Sequence, residues 1–136
     1  MSAPAVAVSR DGKRIAAAWM DERTRKDDRR VYWSAAESMR FTEDAPVDPS
    51  SKVRQDHPAI TMDGSGTIWI AWEQGEDGSE RIRVRSDARD SKPAQASDDA
   101  HGSALFPSIA AGGGVIGVAY EAGEDDRKLV AFRRVE

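Results

Sequence analysis

Large and small apolar side chains alternate along three short stretches of the chain, Ile15-Ala16-Ala17-Ala18-Trp19, Ile68-Trp69-Ile70-Ala71-Trp72 and Ile116-Gly117-Val118-Ala119-Tyr120. Side chains alternate across a β-strand, so Ile15, Ala17 and Trp19 fall on one face, as do Ile68, Ile70 and Trp72, and Ile116, Val118 and Tyr120. The opposite face carries Ala16 and Ala18, Ala71, Gly117 and Ala119, with Trp69 as the exception. Large residues on one face and small ones on the other suit a sheet packed between two similar sheets. The pattern therefore puts Trp19, Trp72 and Tyr120 in the core and leaves Tyr32, Trp33 and Trp69 as the aromatics for exposure. A helix over residues 16–40 competes on propensity alone. It fails because residues 21–30 offer no apolar position at helical spacing to bury.

The same three stretches belong to a longer repeat, which decides the topology. Each is preceded by a strand that opens on proline: Pro4-Ala5-Val6-Ala7-Val8, Pro58-Ala59-Ile60-Thr61-Met62 and Pro107-Ser108-Ile109-Ala110-Ala111. A glycine turn joins the two strands at Asp11-Gly12, Ser65-Gly66 and Gly113-Gly114. After the aromatic comes a charged loop, Asp21 to Arg30, Glu73 to Arg81 and Glu121 to Lys128, and then a third strand at Val31–Ser34, Ile82–Ser86 and Leu129–Arg133. A fourth strand is predicted around Ala45 to Val47 and around Ala94 to Ser97, and the third unit reaches Glu136 before one. The reading is thus all-β, about 11 strands grouped four, four and three, in one repeat domain with units at 4–50, 57–100 and 106–136.

Composition narrows the function. The 136 residues hold 24 acidic and 20 basic side chains, a net charge of −4, which argues against nucleic acid or an anionic membrane as partner. Cysteine is absent, which removes disulfides and thiolate metal sites. No apolar run approaches the roughly 20 residues of a membrane span, and Met1-Ser2-Ala3-Pro4 carries no signal-peptide core.

The repeated Pro-x-Val/Ile-Ala strand, the glycine turn and Trp19-Met20-Asp21-Glu22-Arg23 together resemble bacterial sialidase-like proteins built from BNR (Asp-box) repeats. The family's box reads Ser-x-Asp-x-Gly-x-Thr-Phe/Trp. Ser34 and Phe41 stand at its two ends, but Ala36, Ser38 and Arg40 occupy the Asp, Gly and Thr positions. The second unit keeps Ser86, with Ala88, Asp90 and Pro93 at the later places. The resemblance implies three tandem four-stranded antiparallel blades, the last incomplete, making half of a six-bladed sialidase-like β-propeller. It also implies a secreted or periplasmic location. Three blades do not close a ring. Either two chains join head to tail as a homodimer of six blades, or the chain is part of a longer propeller.

In such a fold, the loops after each second strand and the crossings between units lie at one end. They gather Asp21, Glu22, Arg23, Asp56, His57, Glu73, Gln74, His101 and Glu121. Loops on a rigid scaffold are where binding residues concentrate. The candidate ligand-binding residues are Asp21, Arg23, His57, Glu73 and Glu121, for a glycan or protein ligand. The Asp21/Arg23 pair also suits a loop brace, and His57 a structural hydrogen bond. Asp98-Asp99 and Asp125-Asp126 lack the spacing of a calcium loop, and His57 and His101 lack companion zinc ligands. No metal, cofactor or catalytic residue is assigned.

Three function classes remain open. A sialidase needs an arginine cluster and a Tyr nucleophile paired with Glu. Tyr120-Glu121 are adjacent, so their side chains point to opposite faces of a strand, and Arg81-Ile82-Arg83 is not the family's Arg-Ile-Pro motif. A general glycosidase needs two carboxylates roughly 5–10 Å apart, and Asp21, Glu73 and Glu121 offer them without selecting a pair. The sequence favours a non-catalytic module that binds a glycan or protein. A portion of a glycoside hydrolase, or a structural half-ring, are the alternatives.

Overall fold

A computed structural model of the chain describes residues 2–124 and 126–135, so Asp125 and Glu136 of the third unit lie outside the described residues. All regular structure among the described residues is β. The first sheet contains β1 (Ala5–Val8), β2 (Arg14–Asp21) and β3 (Arg30–Glu37), with two-residue strands β4 (Arg40–Phe41) and β5 (Ala45–Pro46) both paired to β3. The second runs β6 (Gln55–Met62), β7 (Ile68–Gln74), β8 (Arg81–Ser86) and β9 (Ala94–Gln95). The third is β10 (Ala104–Gly112), β11 (Val115–Ala122) and β12 (Leu129–Val135). Every pairing is antiparallel. The outer strand expected in the first unit is split into β4 and β5, which brings the described strands to twelve elements.

The sheets share one register. Ala18 stands opposite Trp33, Ala71 opposite Val84 and Ala119 opposite Phe132. They stack in chain order, with the second in the middle. Strand β6 packs on β1, β2 and β3 of the sheet before it and on β10 of the sheet after it. Between the first two sheets, Ile68, Ile70 and Trp72 bury against Ala16, Ala18, Val31 and Val47. Between the second and third, Val118 and Tyr120 bury against Ala71, Ile82 and Val84. The small face of one sheet thus receives the large face of the next, as the alternation in the sequence requires.

One expectation is corrected here. In the first sheet the core side is the small face, Ala16 and Ala18, while Ile15, Ala17 and Trp19 are only partly buried. No described sheet lies on their side, so the equivalence of Trp19 with Trp72 and Tyr120 holds for strand position but not for burial. Trp33 and Trp69 are also partly buried, packed against the two cores, with Trp69 Nε1–H donating to Asp63 at 3.2 Å.

Polar ties fix the stacking. Arg14 of the first sheet donates to the Gly66 carbonyl at 2.6 Å and pairs with Asp87 at 3.0 Å. Arg85 of the second sheet donates back to the Val47 carbonyl at 2.7 Å. Two main-chain bonds recur at the sheet starts. The Gln55 N–H donates to the Arg29 carbonyl and the Ala104 N–H to the Glu80 carbonyl, each at 3.0 Å.

Candidate functional site at the bulged strand starts

Strands β6 and β10 both begin with a β-bulge, between Asp56 and Ala59 and between Leu105 and Ser108. At each bulge the residue before the proline sits in the left-handed region, His57 at φ 46° and Phe106 at φ 54°. Proline removes a ladder donor and disfavours right-handed helical angles in the residue before it, which marks both places for irregular backbone. A non-glycine residue in that region costs about 1–3 kcal/mol and persists only where its surroundings hold it. The bulges re-aim the side chains: the imidazole and the Phe106 ring meet edge to face, with 4.9 Å between centroids.

Two carboxylates converge beside them. Asp56 and Glu73 are cross-strand partners in the β6–β7 register and both are buried. Like charges opposed across a sheet repel, and the surroundings resolve the conflict differently for each. Asp56 Oδ2 receives Arg29 Nη1 at 2.6 Å and Oδ1 receives the His57 N–H at 2.9 Å. Burial works against its ionisation, but the nearby Ser2 hydroxyl, Arg29 and the His57 N–H outweigh it and hold its pKa below the usual 3.8. Glu73 Oε2 accepts the Phe106 N–H at 2.7 Å and lies 2.9 Å from His57 Nδ1. There burial prevails over the Phe106 N–H and His57, and the pKa is pushed above 4.5. The half-buried His57 side chain therefore bridges an ionised carboxylate, 3.9 Å from Nδ1, and a second one that resists ionisation.

A cavity of about 160 Å³ opens over this group, with Arg29, Arg54, Gly75, Asp77 and Phe106 on its walls. Arg54 and Asp77 are ion-paired across it. Ligand pockets usually enclose about 300–1,000 Å³, so this one admits a single ring or polar head group.

The five predicted site residues fall into three arrangements. His57 and Glu73 come together here. Asp21 and Arg23 brace their own loop instead: Arg23 Nη2 is 2.7 Å from Asp21 and 2.7 Å from Asp44, with its guanidinium 3.8 Å over the Tyr32 ring. The Arg23 bond holds the carboxyls of Asp21 and Asp44 below the usual range. Glu121 pairs with Lys128 at 3.0 Å in the third loop. His101 lines a separate concavity with Gly102 and Arg127. Asp56 and Arg29 complete the cluster: the sequence places Asp56 at this end without choosing it as a ligand residue, and does not single out Arg29. The X-Pro step at residues 57–58 is the signal for Asp56, whereas Arg29 looks like its neighbours Arg25, Lys26 and Arg30.

A concavity of about 880 Å³ lies at the opposite end among the hairpin turns around Gly12, Ser38 and Gly66. Two of its carboxylates serve the turns themselves. Asp11 accepts from Ser9 Oγ and Asp63 from Ser65 Oγ, each at 2.7 Å.

Comparison with protein-family models and with curated proteins gives no match to this chain.

Proposed function

We propose that the chain is a sialidase-like propeller module, each sheet a blade, that binds a glycan at the end where Asp56, His57 and Glu73 meet. The observation that carries this reading is the pair of buried carboxylates held on either side of a half-buried imidazole at a strained bulge. Hydroxyl-rich ligands suit such a place. Carboxylate oxygens accept pairs of hydroxyl hydrogens, Arg29 and Arg54 donate, and the exposed Phe106 ring offers an apolar surface for a sugar face. The cavity's size points to a terminal sugar rather than an internal segment of a chain.

Binding is favoured over catalysis because both carboxylates are already engaged, Asp56 by Arg29 and Glu73 by the Phe106 N–H. One observation supports the second reading, a portion of a glycoside hydrolase. The pKa values of Asp56 and Glu73 move in opposite directions, as an acid and base pair requires.

The test is a glycan-array screen followed by calorimetry on wild type, Glu73→Gln, His57→Ala and, at the far end, Lys13→Ala. Saturable glycan binding that Lys13→Ala keeps, and the other two variants lose at least tenfold, supports the module. No saturable glycan, or binding insensitive to residues 57 and 73, overturns it. Turnover of aryl glycosides that Glu73→Gln abolishes selects the hydrolase.

A further inference from the structure

The charges around the small cavity at the bulged strand starts do not cancel. Four carboxylates line it, those of Asp56, Glu73, Asp77 and Glu80, against two guanidiniums, Arg29 and Arg54. Both guanidiniums are already matched. Arg29 pairs with Asp56 at 2.6 Å and lies 3.8 Å from Glu22, while Arg54 pairs with Asp77. Glu80 Oε2 accepts the Gly78 N–H at 3.1 Å. Among the described residues, neither Glu73 nor Glu80 forms an ion pair with a lysine or arginine.

Glu73 is the group a ligand would meet. Its side chain is only 7 % exposed, so water does little to stabilise its charge. Oε2 takes the Phe106 N–H, and among the described residues no donor reaches Oε1. His57 Nδ1 lies 2.9 Å from Oε2, yet that nitrogen is buried and makes no hydrogen bond. Burial, with the Asp56 charge adding to it, raises the Glu73 pKa above 4.5. A buried carboxylate with one oxygen free of donors thus lines the cavity, beside the exposed Phe106 ring. A sugar hydroxyl placed there would bond to Oε1 but leave its charge buried and unpaired. A sugar carboxylate or sulfate would add a like charge. An ammonium brings the missing positive charge, three donors, and attraction to the face of an aromatic ring.

We infer that the cavity selects a terminal sugar bearing an unsubstituted amino group, with the ammonium paired to Glu73 and the sugar ring against Phe106. The inference rests on the glycan reading above and names the group by which that glycan is recognised. An acetyl group on the same nitrogen removes the positive charge and sets a carbonyl against the carboxylate, so the acetylated sugar is rejected on both counts. The volume of about 160 Å³ accommodates one such ring. Asp77 and Glu80, on the same walls, add negative potential that draws a cationic sugar inward.

The experiment is calorimetric titration at neutral pH with methyl glucosaminide, methyl N-acetylglucosaminide, methyl glucuronide and butylamine. On wild type, the glucosaminide is expected to bind at least about tenfold more tightly than each of the other three. Glu73→Gln, checked for folding by circular dichroism, abolishes that preference. Glu37→Gln, which removes one negative charge at the opposite end, keeps it. If the N-acetylated sugar or the glucuronide binds as tightly as the glucosaminide, the amino-group inference is overturned while the glycan reading stands. If butylamine matches the glucosaminide, the site reads an amine without its sugar, and both fall. Saturable binding of none of the four overturns the inference, and a ligand still found on the glycan array then keeps the wider reading alone. A preference that persists in folded Glu73→Gln overturns it as well. The wild-type series decides the matter even where Glu73→Gln does not fold.

Discussion

His57 and Phe106 hold the same position in successive sheets, and their rings meet edge to face at 4.9 Å between centroids. Each precedes a proline, and each lies in the left-handed region at a bulge. Glu73 ties the two together, with one oxygen taking the Phe106 N–H and lying 2.9 Å from the imidazole. Two buried carboxylates therefore hold the bulges, Asp56 through the His57 N–H and Glu73 through the Phe106 N–H.

Glu73 gives stability a distinctive pH dependence. Its native pKa is raised above 4.5, so the native state binds the proton more tightly than the unfolded chain. Its contribution is fully present below pH 4.5 and is lost as pH rises through the raised native value. Glu73→Gln, which keeps an acceptor for the Phe106 N–H, is expected to remove that decline. Urea titrations across pH 4 to 8 measure it, and a variant curve parallel to wild type contradicts the assignment.

Asp56 runs the other way. Its native pKa is depressed below 3.8, so it stabilises above that value and the stability is lost as pH falls through the depressed one. Arg29→Ala leaves this buried carboxylate without its ion-pair partner. The expected cost is about 1–3 kcal/mol at neutral pH, shrinking toward zero in acid as Asp56 takes up a proton. Equal losses at pH 7 and pH 3 rule out the charge explanation.

Ile70 is buried between the first and second sheets. Ile70→Ala is expected to cost about 2–5 kcal/mol, the lost transfer energy plus a cavity, with an unchanged denaturant slope. A loss below about 1 kcal/mol in urea unfolding means that the sheets are not close-packed there.

Gly75 and Gly123 occupy equivalent places, three residues after Trp72 and Tyr120, at φ 133° and 109°. At Gly123 a Cβ falls 2.4 Å from the Arg127 carbonyl oxygen. Gly123→Ala is expected to lower stability by more than about 1 kcal/mol. Gly64→Ala, where a Cβ meets nothing within 4 Å, is expected to be neutral or slightly stabilising. Paired thermal melts compare them, and equal Tm shifts refute the steric argument.

The all-β architecture was legible because one device, large apolar residues on one face of a strand and small ones on the other, repeats three times at a spacing the eye can follow. Ile68, Ile70 and Trp72 declare their partner sheet through the alanines that match them. What alternation does not encode is whether a neighbouring sheet exists, so Trp19 reads like Trp72 and is buried less. The site was half legible. His57 and Glu73 stand out by chemistry and by the nearby proline, whereas Arg29 is selected among several similar cations only by the register that brings β6 beside β3. The brace of Asp21 and Arg23 was half legible for the same reason: Asp44, which completes it, is 21 residues from Arg23 and invisible to local reading.

The short outer strands have a consequence for behaviour at high concentration. Strands β4, β5 and β9 are two residues each, beside inner strands of four to nine, and Pro46 in β5 has no N–H to offer. At the first two sheets such a rim is a weak template for sideways pairing, whereas β12, seven residues long, has no described strand beyond it. Sideways pairing at high concentration is therefore expected to fall on the edge of the third sheet rather than on the first two.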